Sequence, residues 1–591
     1  MRHLSIISIA FLLTACGGEK TTPPVEIDMG PETTVEPLVN AYYGSRCDEG
    51  VGTTFLILSD TPVTCADLTS EVTGTLEPGR VKFELDDEGI INPSQSYCDA
   101  NGECQTASFN VISQTQNGNL EGAWTATLNG NEITQTFTAE PCDFGDDGVS
   151  AGKSPVRGAS ISDVAFNQGI ETKVVVNGAL NNLQRLPVIA GRDALVRVYL
   201  DLEDDFEERE IVGRFTMGDT VLETTFTPLA NSSERFLAST LNFEVPGDAI
   251  GPNASFSVEI NDIEACPDVP GTIGVTKVPR SAPVAPLQPE SLLGMMRIVL
   301  VPVAWNADGS GRLPNLGAAN LEAFRALAYK VYPIPGIDMT VRDPYTDWNG
   351  QIFENGAGFG QFLDTCGAIR AADNPSPDTY YYCITAPPYF TSVSGLAPVP
   401  GPNAAGARFG SGVQYQGSIG AGTFAHEIGH ALGRSHANCG GADGADPNFP
   451  HADGEIGVFG YDLIEKVLIS PDTKDIMSYC DPAWISDYNF EAILERLKVV
   501  IGPPAVKSPF EPRVYRSGYT ENGVFKWGEP VTYHSPPSDT TRTMALRLPD
   551  GTKKEIEVYV TPLSNDKDYR IVAEPFSTGV LTVPEIGDIT P

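Results

Sequence analysis

The segment 426–436 constrains the fold more than any other part of the chain, because it reads His-Glu-Ile-Gly-His-Ala-Leu-Gly-Arg-Ser-His. Its first five residues match the zinc-binding helix pattern H-E-x-x-H. In a helix, His426 and His430 share one face, so both imidazoles can reach one metal ion. Gly433 favours the left-handed backbone that ends helices, and the resulting turn lets His436 supply a third nitrogen ligand. Glu427 projects beside the ion, where a general base must hold a water.

A second segment, 475–480, reads Asp-Ile-Met-Ser-Tyr-Cys and resembles the Met-turn of the metzincin family. The extended pattern H-E-x-x-H-x-x-G-x-x-H is also typical of metzincins. The resemblance implies that Met477 forms an apolar floor beneath the zinc ligands. It also implies that Tyr479 binds the zinc or stabilises the oxyanion of the transition state. Ordinary packing in the core is the alternative for both residues.

The rest of the chain predicts several domains, since 591 residues are too many for one hydrophobic core. Strand and turn patterns predict a Cys-rich β domain over 39–143, a β-sandwich over 159–279 and a small β domain over 504–591. Alternating strands and helices that lead to the zinc helix resemble a metzincin N-terminal subdomain, which implies a zinc protease domain over 291–503. The expected fold class is therefore multidomain, with an α/β (α+β), metzincin-like catalytic domain preceded by two β-rich domains and followed by a third. The segment 186–198 resembles a β-sandwich module that precedes some bacterial metalloprotease domains.

Within the protease domain, a continuous apolar run predicts a buried strand at 296–303. Further strands are expected at 337–341 and 380–385, with a short strand at 413–415 directly before the zinc helix. Apolar residues at helical spacing predict helices near 321–331 and 490–497, and another helix is expected near 359–372. The resemblance to metzincins implies that the strand before the zinc helix is the sheet edge that pairs with an extended substrate.

The N-terminus has the form of an export signal, with a lipoprotein signal peptide expected over 1–15. Its apolar run is too short to span a bilayer. The residues Leu13-Thr14-Ala15-Cys16 resemble a bacterial lipobox, which implies cleavage before Cys16 and lipidation of that residue. Residues 16–38 then form the lipidated N-terminus and a flexible tether. The resemblance implies a lipoprotein of the outer membrane or cell surface, and a secreted protein is the alternative.

The cysteines and the charge add further expectations. Setting Cys16 aside leaves an even number of the 11 cysteines, which predicts disulfides in an exported chain. Their regions favour Cys366 with Cys383 and Cys439 with Cys480.

The net charge of −39 opposes binding to nucleic acid or anionic lipid, so we expect no nucleic-acid partner and membrane contact through the lipid anchor alone.

A loop after the zinc helix is rich in carboxylates of the kind that bind calcium. They suggest a structural Ca²⁺ site, with ordinary solvation as the alternative; the residues concerned are Asp443, Asp446, Asp453 and Glu455.

The function that these motifs predict is a zinc metalloendopeptidase acting on extracellular or surface proteins. Zinc lowers the pKa of its water to roughly 7, and Glu427 takes the proton as the hydroxide attacks the scissile carbonyl. One alternative is a mucin- or glycoprotein-directed protease, since β modules ahead of a metzincin-like domain resemble mucin-cleaving bacterial enzymes. Another is a surface adhesin with a structural zinc site, although such a site does not need Glu427.

Replacing Cys16 by Ser should block lipid addition and release or misprocess the protein, while the catalytic domain stays folded and competent. The reason is that an acidic chain depends on its acyl chains for attachment. Membrane fractionation and mass analysis of the mature N-terminus measure the outcome. A variant that stays with the membrane as the wild type does, together with a lipid-free wild-type N-terminus, would indicate a plain secreted protein.

Overall fold

The structure is a computed structural model that describes strands between residues 40 and 141, and residues 154–591 except 182–185, 264–268, 281, 416–419, 503–509 and 540. The signal peptide, Cys16 and the predicted tether lie outside the described residues. None of the described helices is long and apolar enough to cross a membrane. The described chain is multidomain and rich in β strands, which agrees with the coarse fold class that the sequence predicts.

Seven strands form the N-terminal sheet: β1 (Asn40–Asp48), β2 (Val51–Ser59), β3 (Arg80–Leu85), β4 (Gln95–Cys98), β5 (Cys104–Gln114), β6 (Leu120–Leu128) and β7 (Asn131–Pro141). Their order is β3-β2-β1-β7-β6-β5-β4, and β1 runs parallel to β7. Strands β6 and β7 form an antiparallel hairpin in which Leu128 lies opposite Asn131. Its position agrees with the β domain that the sequence predicts over 39–143.

The next two sheets pack face to face as a β-sandwich. Their strands are β8 (Ala159–Asn167), β9 (Glu171–Val176), β10 (Ala179–Leu180), β11 (Ala194–Leu202), β12 (Ile211–Met217), β13 (Thr220–Phe226), β14 (Leu241–Val245), β15 (Ser255–Asp262), β16 (Lys277–Val278) and β17 (Ala285–Pro286). One sheet has the order β10-β9-β8-β11-β14, and the other has β13-β12-β15-β16 with β17 also on β15. Phe166 of one sheet contacts Phe215 and Phe256 of the other, with ring centroids 6.1 and 5.7 Å away. The two inner faces therefore share one apolar core.

A mixed sheet forms the centre of the predicted protease domain. It contains β18 (Met296–Pro302), β19 (Ile337–Val341), β20 (Thr379–Thr385), β21 (Gly395–Leu396) and β22 (Phe409–Val413), in the order β19-β18-β20-β22-β21. Four strands are parallel and β21 is antiparallel. Two short strand pairs follow: β23 (Gly460–Asp462) with β24 (Val467–Ile469), and β25 (Lys474–Asp475) with β26 (Ala483–Trp484).

Four described helices pack around this sheet: α1 (Ala318–Val331), α2 (Phe359–Asp373), α3 (Ala421–Ala431) and α4 (Asp487–Val500). Helices α1, α3 and α4 share one apolar core, and α2 belongs to a second core. On α1, the buried residues Phe324, Ala328 and Val331 recur at the spacing of one helical face. The helices predicted near 321–331, 359–372 and 490–497 are thus present.

The strand before α3 differs from its prediction in two ways. It covers Phe409–Val413 rather than 413–415, and it lies between β20 and β21 rather than at the sheet edge. The physical reason is close packing, because a Cβ on Gly412 would overlap the Tyr382 hydroxyl and one on Gly410 would lie 3.3 Å from Glu427 Cβ. Gly410 and Gly412, which suggest a loop in the sequence, therefore belong to a strand. The prediction of a substrate-pairing edge at this strand is wrong, and β21 forms the edge instead.

The C-terminal strands form one antiparallel sheet: β27 (Arg513–Glu521), β28 (Val524–Tyr533), β29 (Thr541–Arg547), β30 (Lys553–Pro562), β31 (Tyr569–Ala573), β32 (Val580–Val583) and β33 (Gly587–Ile589). Their order is β28-β27-β31-β30-β29-β32-β33. This sheet packs on α2, where a Cβ on Gly360 would overlap the Tyr519 ring. Buried Arg570 also lies 3.5 Å from the Asp364 carboxylate of α2.

Buried polar contacts join the sandwich to the protease domain. The Arg192 guanidinium donates hydrogen bonds to the carbonyls of Tyr329 (2.5 Å) and Ile334 (2.8 Å), at the C-terminal end of α1. The Trp484 indole donates to the Gly169 carbonyl at 2.7 Å. The Arg192 guanidinium thus satisfies a carbonyl that the end of α1 leaves without a partner inside the helix.

Candidate metal centre

Three imidazole nitrogens converge at the C-terminal half of α3. His426 and His430 lie one helical turn apart, and their Nε2 atoms are 3.0 Å from each other. His436 Nε2 lies 3.1 Å from His430 Nε2. Nitrogens bound tetrahedrally to one zinc ion would lie roughly 3.3 Å apart. The spacing of the three atoms therefore fits a single zinc ion.

The other ring nitrogen of each histidine faces a backbone carbonyl. His426 Nδ1 lies 2.7 Å from the Ile476 oxygen, His430 Nδ1 lies 2.6 Å from the Arg434 oxygen, and His436 Nδ1 lies 2.5 Å from the Asp443 oxygen. A carbonyl accepts but cannot donate, so each Nδ1 carries the proton. Each Nε2 then has a free lone pair for a metal. The tautomers of the three imidazoles therefore suit Zn²⁺, as do the distances between their Nε2 atoms.

The protonation states also suit metal binding. Burial, together with the neighbouring His436, lowers the pKa of His426 to about 4. Burial likewise holds the pKa of His430 well below its ordinary value and lowers that of His436. Neutral imidazoles are the form that coordinates metal ions. The centre is thus preorganised at neutral pH.

Two glycines in the motif make this geometry possible. Gly433 has φ 86°, and a Cβ there would overlap the Arg496 guanidinium. Its backbone conformation ends the helix and directs His436 back toward the centre. Gly429 has a different function, because a Cβ there would overlap Met477 Sδ. The absence of that Cβ lets Met477 pack directly against α3.

Met477 is fully buried, and its carbonyl accepts a hydrogen bond from Ala437 N at 2.9 Å. The buried Asp475 carboxylate holds this segment in place. It accepts hydrogen bonds from Met477 N at 2.7 Å, Ser486 N at 2.8 Å and Asn489 Nδ2 at 2.9 Å. Sequence reasoning did not identify Asp475, although its position two residues before the methionine is compatible with a turn-forming aspartate.

Two disulfides stabilise the surroundings of the centre. Cys366 pairs with Cys383, and Cys439 pairs with Cys480. Both pairings confirm the sequence prediction, and the second ties the loop after His436 to the segment of Met477. The remaining cysteines lie outside the side chains that the structure describes.

Glu427 lies beside the histidines with its side chain 5% exposed. Burial raises the pKa of its carboxyl well above the ordinary value, and the Ser564 hydroxyl opposes that shift. The carboxylate packs against the backbone of β21, since a Cβ on Gly395 would lie 2.6 Å from Glu427 Oε1. A side chain larger than hydrogen at Gly395 would displace the carboxylate.

Tyr479 lies on the solvent side of the centre, with 55% of the residue exposed. Its ring centroid is 4.8 Å from that of His436 and 5.8 Å from that of His426. Desolvation, together with the charges of Glu427 and Asp443, raises the pKa of Tyr479 to about 12. The phenol is therefore protonated at neutral pH and can donate a hydrogen bond.

These residues line a cleft of about 690 Å³, which is within the range of ligand-binding pockets. One part of the cleft wall is formed by His426, Glu427 and Tyr479. The C-terminal sheet and its loops contribute another part, which sequence reasoning did not assign to the site: Thr520, Glu521, Asn522, Ser564, Asn565 and Asp568. No local motif marks these residues, because they reach the cleft through domain packing.

The predicted calcium site is unsupported. Within the described residues, only the three histidines form a group of three or more potential metal ligands. The loop acids instead contact separate cations: Asp443 contacts Lys567 at 2.6 Å, and Asp446 contacts Arg434 at 3.4 Å. The charges of Asp443 and Asp446 are thus each paired with a separate cation.

The fold and the centre define a metallopeptidase-type site, and comparison with known families agrees. Residues 402–483 match the family Peptidase M66. The matched segment contains all three histidines, Glu427 and Met477, and it is a minor part of the chain. The match supports a protease of a metallopeptidase family and implies a metal, typically zinc. No curated protein matches the chain.

Replacing His430 by Ala should abolish most zinc binding, because His430 Nε2 is the central atom of the three. Metal analysis of the purified protein should show about one zinc per wild-type chain and a small fraction of that in the variant. The exposed His534 provides the matched control, and His534→Ala should keep the wild-type zinc content. Full zinc retention in the His430 variant would exclude this centre.

Proposed function

We propose that this chain is a zinc-dependent endopeptidase of the metzincin type that cleaves extracellular or surface proteins. The observation that carries the proposal is the position of Glu427, a buried carboxylate at the cleft wall beside three neutral imidazoles. A structural metal site needs no carboxylate at that place. The adhesin alternative therefore receives less support than the enzyme.

Glu427 and Tyr479 divide the chemistry between proton transfer and charge stabilisation. When bound, zinc supplies Lewis-acid activation of water and of the scissile carbonyl. Glu427 accepts a proton from the attacking water and passes it to the leaving amine as the peptide bond breaks. Tyr479 donates a hydrogen bond to the oxyanion, which the high pKa of its phenol allows.

The edge strand β21 offers a way to align the substrate. Val413 N donates to the Ser394 carbonyl at 3.0 Å, so Ser394 faces β22. Backbone groups alternate sides along a strand, and those of Gly395 therefore point away from the sheet, into the cleft. An extended peptide that pairs with Gly395 would bring its backbone next to Glu427. This arrangement favours cleavage inside an extended chain.

We also propose that the protein is an exported lipoprotein anchored through Cys16. The support is the lipobox-like sequence and the two disulfides, since disulfides persist in oxidising compartments. Protein or glycoprotein substrates would then be encountered outside the cytoplasm.

Replacing Glu427 by Gln should keep the zinc and lower peptidase kcat by about 10³-fold, because the amide retains the shape but cannot accept the proton. Cleavage of a mixed peptide library, with and without chelator, measures the rate. Glu491→Gln, at an exposed position of α4, serves as the control and should match the wild type. Turnover at the wild-type rate in the Glu427 variant would place the base elsewhere.

Replacing Tyr479 by Phe should lower kcat by about tenfold, a smaller loss than at Glu427, because one oxyanion donor is lost while the metal remains. Steady-state kinetics on the same peptides measure the effect. An unchanged kcat would mean that Tyr479 only packs beside the centre and does not stabilise the oxyanion.

A further inference from the structure

The loop 562–568 of the C-terminal domain lies directly against the candidate catalytic residues. Val399 N donates to the Pro562 carbonyl at 3.0 Å, and Ser564 N donates to the Ala397 carbonyl at 2.9 Å. Pro398 and Leu563 form an antiparallel bridge between these two bonds. The loop is therefore paired with the chain that continues from β21, and its backbone position is fixed by the protease domain.

This pairing places the Ser564 hydroxyl next to Glu427. Ser564 is 8% exposed, and its Oγ lies 3.5 Å from Glu427 Oε2. The same Oγ accepts a hydrogen bond from Ala397 N at 3.2 Å. A serine hydroxyl has one proton to donate, and with the Ala397 N–H on its acceptor side that proton can be directed at the carboxylate.

The two oxygens of Glu427 consequently have different surroundings. Oε1 packs against Gly395, whereas Oε2 faces the hydroxyl of Ser564. Hydrogen bonds in catalytic sites are often long without substrate and shorten in the reacting complex. A single directed donor on one oxygen orients the carboxylate and leaves the other oxygen for proton transfer.

The same loop also contacts the third histidine indirectly. Lys567 Nζ lies 2.6 Å from Asp443 Oδ2, and the Asp443 carbonyl accepts the hydrogen bond from His436 Nδ1. The loop 562–568 therefore contacts Glu427 through Ser564, and it contacts Asp443, whose carbonyl orients His436, through Lys567.

We propose that Ser564 is a positioning residue for Glu427, so that the C-terminal domain completes the catalytic site. This inference rests on the proposed peptidase function. Ser564 acts through Glu427 and has no direct contact with the reacting atoms. Its contribution should therefore appear in kcat rather than in KM.

Replacing Ser564 by Ala should lower kcat by about tenfold, close to the value of one charge-assisted hydrogen bond, with KM within about twofold of wild type. Ser564→Thr keeps the hydroxyl and should restore most of kcat. The exposed Ser577 of the same domain is the control, and Ser577→Ala should match the wild type. Zinc content should be unchanged in all three variants, and only Ser564→Ala should lower the thermal midpoint, by about 2 °C.

Three kinetic results would overturn the proposal: an unchanged kcat in Ser564→Ala, a raised KM with unchanged kcat, or a threonine variant as slow as the alanine variant.

A second measurement does not depend on activity. In a double-mutant cycle of thermal unfolding, the Tm shift caused by Ser564→Ala should differ by about 2 °C between the wild-type and Glu427→Ala backgrounds. Equal shifts would mean that the two side chains do not interact. If the wild type cleaves no peptide, the proposed function fails, and this cycle still decides whether Ser564 holds Glu427.

Discussion

The candidate centre depends on three hydrogen bonds from imidazole Nδ1 atoms to backbone carbonyls. The acceptors are Ile476, Arg434 and Asp443, which belong to three separate segments of the chain. Each bond fixes a tautomer and a ring orientation, and together they direct three Nε2 lone pairs at one point. The helix end at Gly433, the segment of Met477 and the loop closed by Cys439–Cys480 all serve to place these acceptors.

The sequence predicted the parts of the site whose signals are local. The spacing of His426, His430 and Gly433 specifies a helix, a shared face and a turn, and the structure has all three. The two disulfides were predictable because each pair lies within one domain, at separations of 17 and 41 residues. Parallel strands β18 and β20 were predictable from their apolar runs, since buried strands need apolar residues on both faces.

The sequence could not predict what depends on packing between distant segments. Ser564 and Glu427 are 137 residues apart, and no motif surrounds the serine. Gly410 and Gly412 indicate a loop by their local preferences, yet the Tyr382 hydroxyl leaves no room for a Cβ at Gly412 and Glu427 leaves little room at Gly410. The error about the sheet edge has the same origin, because the two-residue strand β21 is too short to leave a periodic pattern.

Burying the Glu427 carboxylate is unfavourable unless nearby groups compensate for its lost solvation. The Ser564 hydroxyl is one such group, and the charge of a bound metal would be another. Both groups stabilise the same carboxylate, so docking of the C-terminal loop and metal binding are expected to be energetically coupled. Coupling of this kind is reciprocal: if the loop favours the metal-bound form, the metal favours the docked loop by the same free energy. In the proposed peptidase, the C-terminal domain is therefore part of the catalytic unit rather than an accessory module.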